Sequence, residues 1–181
     1  MSSAATETHL PTGTWQIDAT HSQVGFAVEY MVGTFRGTFS PVEAKLEVAE
    51  DGSATLTGSA RVDAIKIDSE YLVTHLKSPD FFDEERAPEI TFKSTEITST
   101  GSDLTIKGEL AIKGNSRAVE LKGKLSGPIT DGYERERLGL VLETTIDRTQ
   151  FGIDWQNPLP SGEPSLANDV KLTAELYLIK D

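Results

Sequence analysis

The chain has 181 residues, with 17 Lys and Arg against 29 Asp and Glu, and a formal net charge of −12. This length fits one domain whose core can carry the fold without clips, and the lack of any cysteine removes disulfides, thiolate metal sites and cysteine nucleophiles. The negative charge opposes binding to phosphate backbones and anionic membrane surfaces, which need clustered Lys and Arg, so nucleic acid is excluded as an expected partner.

Residues 1–12 are small and polar and are expected to be a flexible N-terminal segment ahead of a single domain over 13–181. The opening MSSAATETHLPTG has neither the basic start nor the apolar run of a secretory signal, which predicts a cytoplasmic protein. No apolar run approaches the roughly 20 residues of a membrane span.

From Trp15 and Ile17 onward, apolar residues recur at every second position, the period that turns one face of a strand inward. Val24, Phe26, Val28 and Tyr30 form one such row, Ala44, Leu46 and Val48 the next, then Leu56, Gly58, Ala60 and Val62. The segment 68–83 breaks the rhythm. Tyr71, Leu72, His75 and Leu76 share a helical face there, with Asp68 or Ser69 as N-cap, and Ser78-Pro79-Asp80 has the form of a second helix start. Alternation resumes at Ile90 and Phe92, then Leu104 to Ile112, Val119 to Leu125 and Leu138 to Ile146. Residues 154–169, with three prolines and a glycine, predict a long loop before the final row, Val170 to Leu178. Turn signals such as Glu50-Asp51-Gly52 and Lys113-Gly114-Asn115 make most neighbours antiparallel hairpin partners.

So many one-faced strands must close into a barrel or stack as a sandwich. Gly58, Gly108, Gly123 and Ala174 lie within the inward rows and would leave volume inside a barrel. Strand glycines also mark bulges and close backbone contacts, so the pattern leaves a hollow and a filled interior both open. A hollow interior with this lining would take a greasy, elongated ligand, at roughly 0.8 kcal/mol for each buried CH₂. Histidine chemistry is the competing reading. His21 or His75 could act as a base at the barrel mouth, and Asp18 with His21 could contribute to a metal site, but no nucleophile elbow or zinc spacing accompanies them. No phosphate-binding glycine loop is present, so no nucleotide cofactor is expected.

Four ordered motifs then resemble one family. Trp15-Gln16-Ile17-Asp18 with His21-Ser22, and Val32 to Phe39, are similar to the opening of the YceI-like family. His75 to Asp83 with Pro88 to Thr95 is similar to its central motif, and Gly108 to Gly114 and Ile146 to Ile153 to its last two. The resemblance covers nearly all of residues 13–180. It implies an all-β, antiparallel, lipocalin-like barrel of about eight strands with a short helical insertion around 68–83. It also implies a non-enzymatic protein that binds, transports or stores a polyisoprenoid, isoprenoid quinone or similar amphiphile. Where relatives often carry an Arg-Asp pair before His-Leu, this chain has Val73 and Thr74, which removes whatever polar contact that pair makes.

The ligand-lining set expected on these grounds is Phe26, Val28, Tyr30, Leu56, Phe92, Leu110, Leu121, Leu140 and Leu172, with Phe81 and Phe82 near the closure and His21 and Ser22 as polar contacts. No metal is expected, and outward-facing edges leave room for pairing as a homodimer.

Overall fold

The computed structural model describes residues 10–181. Among them the strands run in chain order as β1 (Gly13–Ile17), β2 (Gln23–Tyr30), β3 (Gly33–Phe39), β4 (Glu43–Val48), β5 (Ala54–Arg61), β6 (Ile65–Lys66), β7 (Glu89–Thr100), β8 (Asp103–Ile112), β9 (Asn115–Thr130), β10 (Glu136–Asp147) and β11 (Leu166–Lys180). One α-helix, α1 (Glu70–Lys77), stands between β6 and β7. The order β1-β4-β5-β7-β8-β9-β10-β11 closes on itself because β1 also pairs with β11. The result is the expected closed, antiparallel barrel of eight strands with one short helix.

Eleven segments make eight wall positions because three strands are broken. While β1 pairs with β4, its continuation β2 pairs with β3; while β4 pairs with β5, β3 pairs with β6. The breaks fall where alternation lapses: a turn at 18–22, Pro41 between β3 and β4, and a 3₁₀ turn, Val62–Ala64, between β5 and β6.

At the first break one backbone bond and one serine hydroxyl replace the ladder. The Asp18 N–H donates to the Tyr177 carbonyl at 2.7 Å, and the Tyr177 N–H donates to Ser22 Oγ at 2.9 Å. A buried backbone group left unpaired costs about 1–3 kcal/mol, which accounts for a serine held at 2% exposure on this wall. Asp18 is itself clasped. Its Oδ2 lies 2.8 Å from His21 Nδ1 and accepts from Arg137 Nη1 at 2.9 Å, and Arg137 Nε donates to Asp131 Oδ2 at 2.7 Å.

These bonds, His21 first and Arg137 next, draw the Asp18 carboxyl down to about 2. A carboxylate whose folded pKa is depressed stabilises fully above its unfolded value, near 3.9, and that contribution is lost as pH falls toward the folded value. Wild type should therefore lose about 1–2 kcal/mol through Asp18 between pH 4 and pH 2. Urea unfolding at several pH values should show a shallower acid limb for Asp18→Asn; parallel limbs would mean the carboxylate is not coupled to folding.

One end of the barrel is filled. Trp15, Leu46, Leu104, Ile106, Leu138, Leu140, Leu142 and Leu178 are all buried in one cluster there, with Trp15 and Leu178 at 0% exposure. Leu10 joins this cluster, and the Trp15 indole N–H donates to the Pro11 carbonyl at 3.0 Å. Leu10 thus buries its side chain in the core and Pro11 is held by the Trp15 indole, while residues 1–9 of the expected N-terminal segment lie outside the described residues.

The insertion keeps one helix and not two. Ser69 caps α1, its Oγ accepting from the Leu72 N–H at 3.3 Å. After Lys77 the chain folds into successive turns, with Phe82 N–H donating to Leu76 O, Glu84 N–H to Lys77 O and Asp83 N–H to Ser78 O. These bonds reach back to α1, so the expected helix start at Ser78-Pro79-Asp80 does not develop. The long loop also ends earlier than predicted. Leu166 is buried and pairs with Tyr30, which starts β11 four residues before the regular apolar row.

Candidate ligand-binding cavity

The other end of the barrel is not filled by its walls. β6 is only two residues long and pairs with β3 alone, while β7 first meets β5 at Glu89 and Arg61, so the wall beside β6 has no strand. α1 and the turns after it cover that gap. Leu76, Phe81 and Phe82 pack there against Phe39, Ala60, Ile65 and Ile90.

Beneath this cover lies a cavity of about 370 Å³. Phe26, Val28 and Tyr30 of β2, Phe35 and Phe39 of β3, Leu110 and Ile112 of β8, and Val170 and Leu172 of β11 form its walls. Leu72, His75, Leu76, Phe81, Phe82 and Trp155 form its roof. A second, smaller cavity of about 120 Å³ adjoins it toward the filled end, bordered by Leu56, Gly58, Phe92, Leu121, Leu142 and Ala174. Val24, Ala60, Ile90, Leu110 and Leu172 border both and form the neck between them.

Ten of the thirteen expected site residues therefore meet a cavity. Phe26, Val28, Tyr30, Phe81 and Phe82 border the outer one, Leu56, Phe92 and Leu121 the inner one, and Leu110 and Leu172 both. Leu140 borders neither. It faces inward as the alternation requires, but at 1% exposure it sits within the filled end, since period two fixes the face of a strand and not the height along the barrel axis. His21 and Ser22 are also away from the cavities, at the break between β1 and β2, bonded to Asp18 and to the backbone of Tyr177.

The small inward residues divide in the same way. Gly58 and Ala174 border the inner cavity. Gly108 does not open space: a Cβ there would lie 2.4 Å from the Lys93 carbonyl and 2.6 Å from the Phe92 ring. At Gly123 a Cβ would stand 1.7 Å from the Val141 carbonyl. These two glycines allow strands and an aromatic ring to approach closely, the alternative that the pattern left open.

The outer cavity has a few polar groups. His75 is wedged edge-on against Phe81 and Trp155, at centroid distances of 4.9 and 5.1 Å, and its Nε2 lies 3.1 Å from Asp80 Oδ2. That ring nitrogen engages a carboxylate and not a hydroxyl. Among the described residues no three His, Asp or Glu side chains are grouped to hold a metal ion.

Arg148 is the group that periodicity did not flag, since a charged residue after an amphipathic strand is expected to face solvent. It is 4% exposed and borders the outer cavity. It opens the 3₁₀ turn Arg148–Phe151, whose N-cap Asp147 accepts from the Thr149 N–H. Its Nε donates to the Ala167 carbonyl at 2.8 Å, Nη1 to Ile153 at 2.9 Å and Nη2 to Leu166 at 3.4 Å. Burial pushes its pKa below the ordinary arginine value, against the opposing pull of Asp147 and Asp154. Gln156 completes the loop, Oε1 accepting from the N–H groups of Ser165 and Leu166, both at 2.9 Å. The 152–165 segment is thus pinned across the barrel end.

The outer volume falls in the range of small-molecule pockets, about 300–1,000 Å³, and the lining has the mostly apolar, partly aromatic character of such sites. This arrangement can bury a flexible apolar chain and orient a polar end.

The family model described as the YceI-like domain matches residues 15–178. A UPF0312 protein of Staphylococcus aureus (strain USA300) is 30% identical over 164 residues, covering 87% of this chain and 92% of the relative. Among solved structures, BcnA of Burkholderia cenocepacia superposes with a TM-score of 0.74 at 19% identity, over 89% of this chain and 98% of that one. A polyisoprenoid binding domain from Saccharophagus degradans, implicated in plant cell wall breakdown, gives 0.69 at 9% identity over 92% and 98%. At these identities the two structures speak to the fold.

Proposed function

This chain belongs to the YceI-like domain family, and on that premise we propose that it binds a long apolar or amphiphilic molecule, of the polyisoprenoid or isoprenoid-quinone kind, inside the barrel and transports or stores it. The observation that carries this reading is the pair of adjoining apolar cavities in a barrel whose opposite end is filled. A protein built only for stability would have no such void, because interiors pack to the density of organic crystals and each unfilled site costs contact energy. The polyisoprenoid-binding description of the S. degradans domain supports the same ligand class.

The role is binding and not catalysis. His75, the histidine at the cavity, is held by Asp80 and two aromatic rings, an arrangement that shapes a roof. His21 stands on the outer wall with Asp18. Conversion of a bound chain would need a nucleophile or activated water beside one of them.

The test is titration of delipidated protein with a polyprenol that is fluorescent or quenches Trp155 emission. Saturable uptake near one molecule per chain is expected. No uptake across a range of chain lengths would overturn the reading.

A further inference from the structure

The outer cavity is bordered by a buried cation that, among the described residues, has no carboxylate within ion-pair distance, Asp147 and Asp154 acting on it only from farther away. Among the described residues Arg148 makes no ion pair, and Asp147 spends its Oδ1 on the Thr149 N–H and hydroxyl. A guanidinium has five N–H donors, and the three bonds to Ala167, Ile153 and Leu166, all backbone carbonyls, leave two of them with no acceptor among the described residues. A buried donor without an acceptor is costly, and more so when charged.

We propose that Arg148 anchors the polar end of the ligand, so that the cavity selects a single-chain amphiphile with a carboxylate-type oxygen head over a plain hydrocarbon or a cationic one. This rests on the reading of the barrel interior as a ligand site. The three carbonyl bonds hold the guanidinium plane in place, and Nη1 and Nη2 each keep one further N–H to offer a ligand oxygen, the donor pair with which arginine grips a carboxylate. Position agrees with polarity. Arg148 borders the outer cavity and is absent from the inner one, so a bound chain runs tail first through the neck at Leu110 and Leu172 and stops with its head beside Arg148. The desolvation of the arginine is already met by the fold, so pairing it adds attraction without a second penalty on the protein side.

The net charge of −12 sharpens the test, because the long-range field of the protein favours cations and repels carboxylates. A preference for the acid can then arise only locally. Delipidated wild-type protein is titrated with hexadecanoate, hexadecan-1-ol and hexadecylamine, each below its micelle threshold, at pH 8. The acid is expected to bind at least tenfold tighter than the alcohol, with the amine weakest. Arg148→Lys, which keeps charge and loses the fork, should narrow the gap between acid and alcohol to a few-fold, with thermal melts checking that it folds. Because Arg148 also holds the 153–167 backbone, the wild-type ligand series stands as evidence if that variant does not fold. An alcohol that binds as well as the acid would overturn the anchor while leaving the cavity reading intact. Failure of all three would overturn both.

Discussion

Replacing Leu110 with Trp should weaken binding of a sixteen-carbon chain by roughly 100-fold while the protein stays folded. Leu110 is 7% exposed and stands at the neck between the two cavities, so an indole there closes the inner one to a chain entering from the roof. Excluding about four methylenes from burial, at roughly 0.8 kcal/mol each, costs about 3 kcal/mol, which is two decades in affinity. The added bulk has the void to occupy, so the overpacking penalty should stay near the low end of about 1–3 kcal/mol. Leu172→Trp, on β11 at the same neck, should act alike. Titration of each variant with chains of eight to sixteen carbons gives the check: short chains should bind nearly as in wild type and long ones should lose their advantage. Equal losses at every length would place the chain elsewhere.

Trp15→Ala should be the most destabilising single substitution in the filled end. The indole is fully buried among Leu46, Leu178 and their neighbours, and its N–H holds the Pro11 carbonyl. Large-to-small changes of this kind cost about 3–5 kcal/mol, a large part of a total stability of about 5–15 kcal/mol. At this chain length that is a fall in Tm of roughly 10–15 °C. Calorimetry should show it, with Trp15→Phe losing markedly less. A fall of only one or two degrees would mean that the filled end is not the stabilising half of the barrel. The division of labour matters for function, since a barrel can keep an apolar void at one end only if packing at the other compensates.

Alternation made the barrel legible because it reports which face of a strand is inward, and nearly every inward row in the sequence became a wall. It could not separate Leu140, in the filled end, from Leu110, at the neck, because height along the axis depends on register and on strand breaks. The breaks themselves were hidden for a related reason: Ser22 replaces a ladder partner for Tyr177, a role set by a residue 155 positions away. Gly58 and Gly108 look alike in the sequence, yet one borders a cavity and the other is covered by the Phe92 ring of the neighbouring strand. His21 and Ser22 are polar residues beside an apolar row, but their partners are Asp18 and the Tyr177 backbone, away from the cavities. Arg148 stands within the Ile146 to Ile153 motif, but its burial is not legible there because it depends on carbonyls supplied by the 153–167 segment, which no local pattern announces.

Native mass spectrometry of the purified protein, followed by organic extraction, tests the hollow-barrel reading most directly. A bound species of discrete mass in near one-to-one ratio, released by solvent and carrying a long apolar chain, is the predicted result. An unliganded mass from every preparation, with no mass shift after incubation with long-chain amphiphiles, would contradict it.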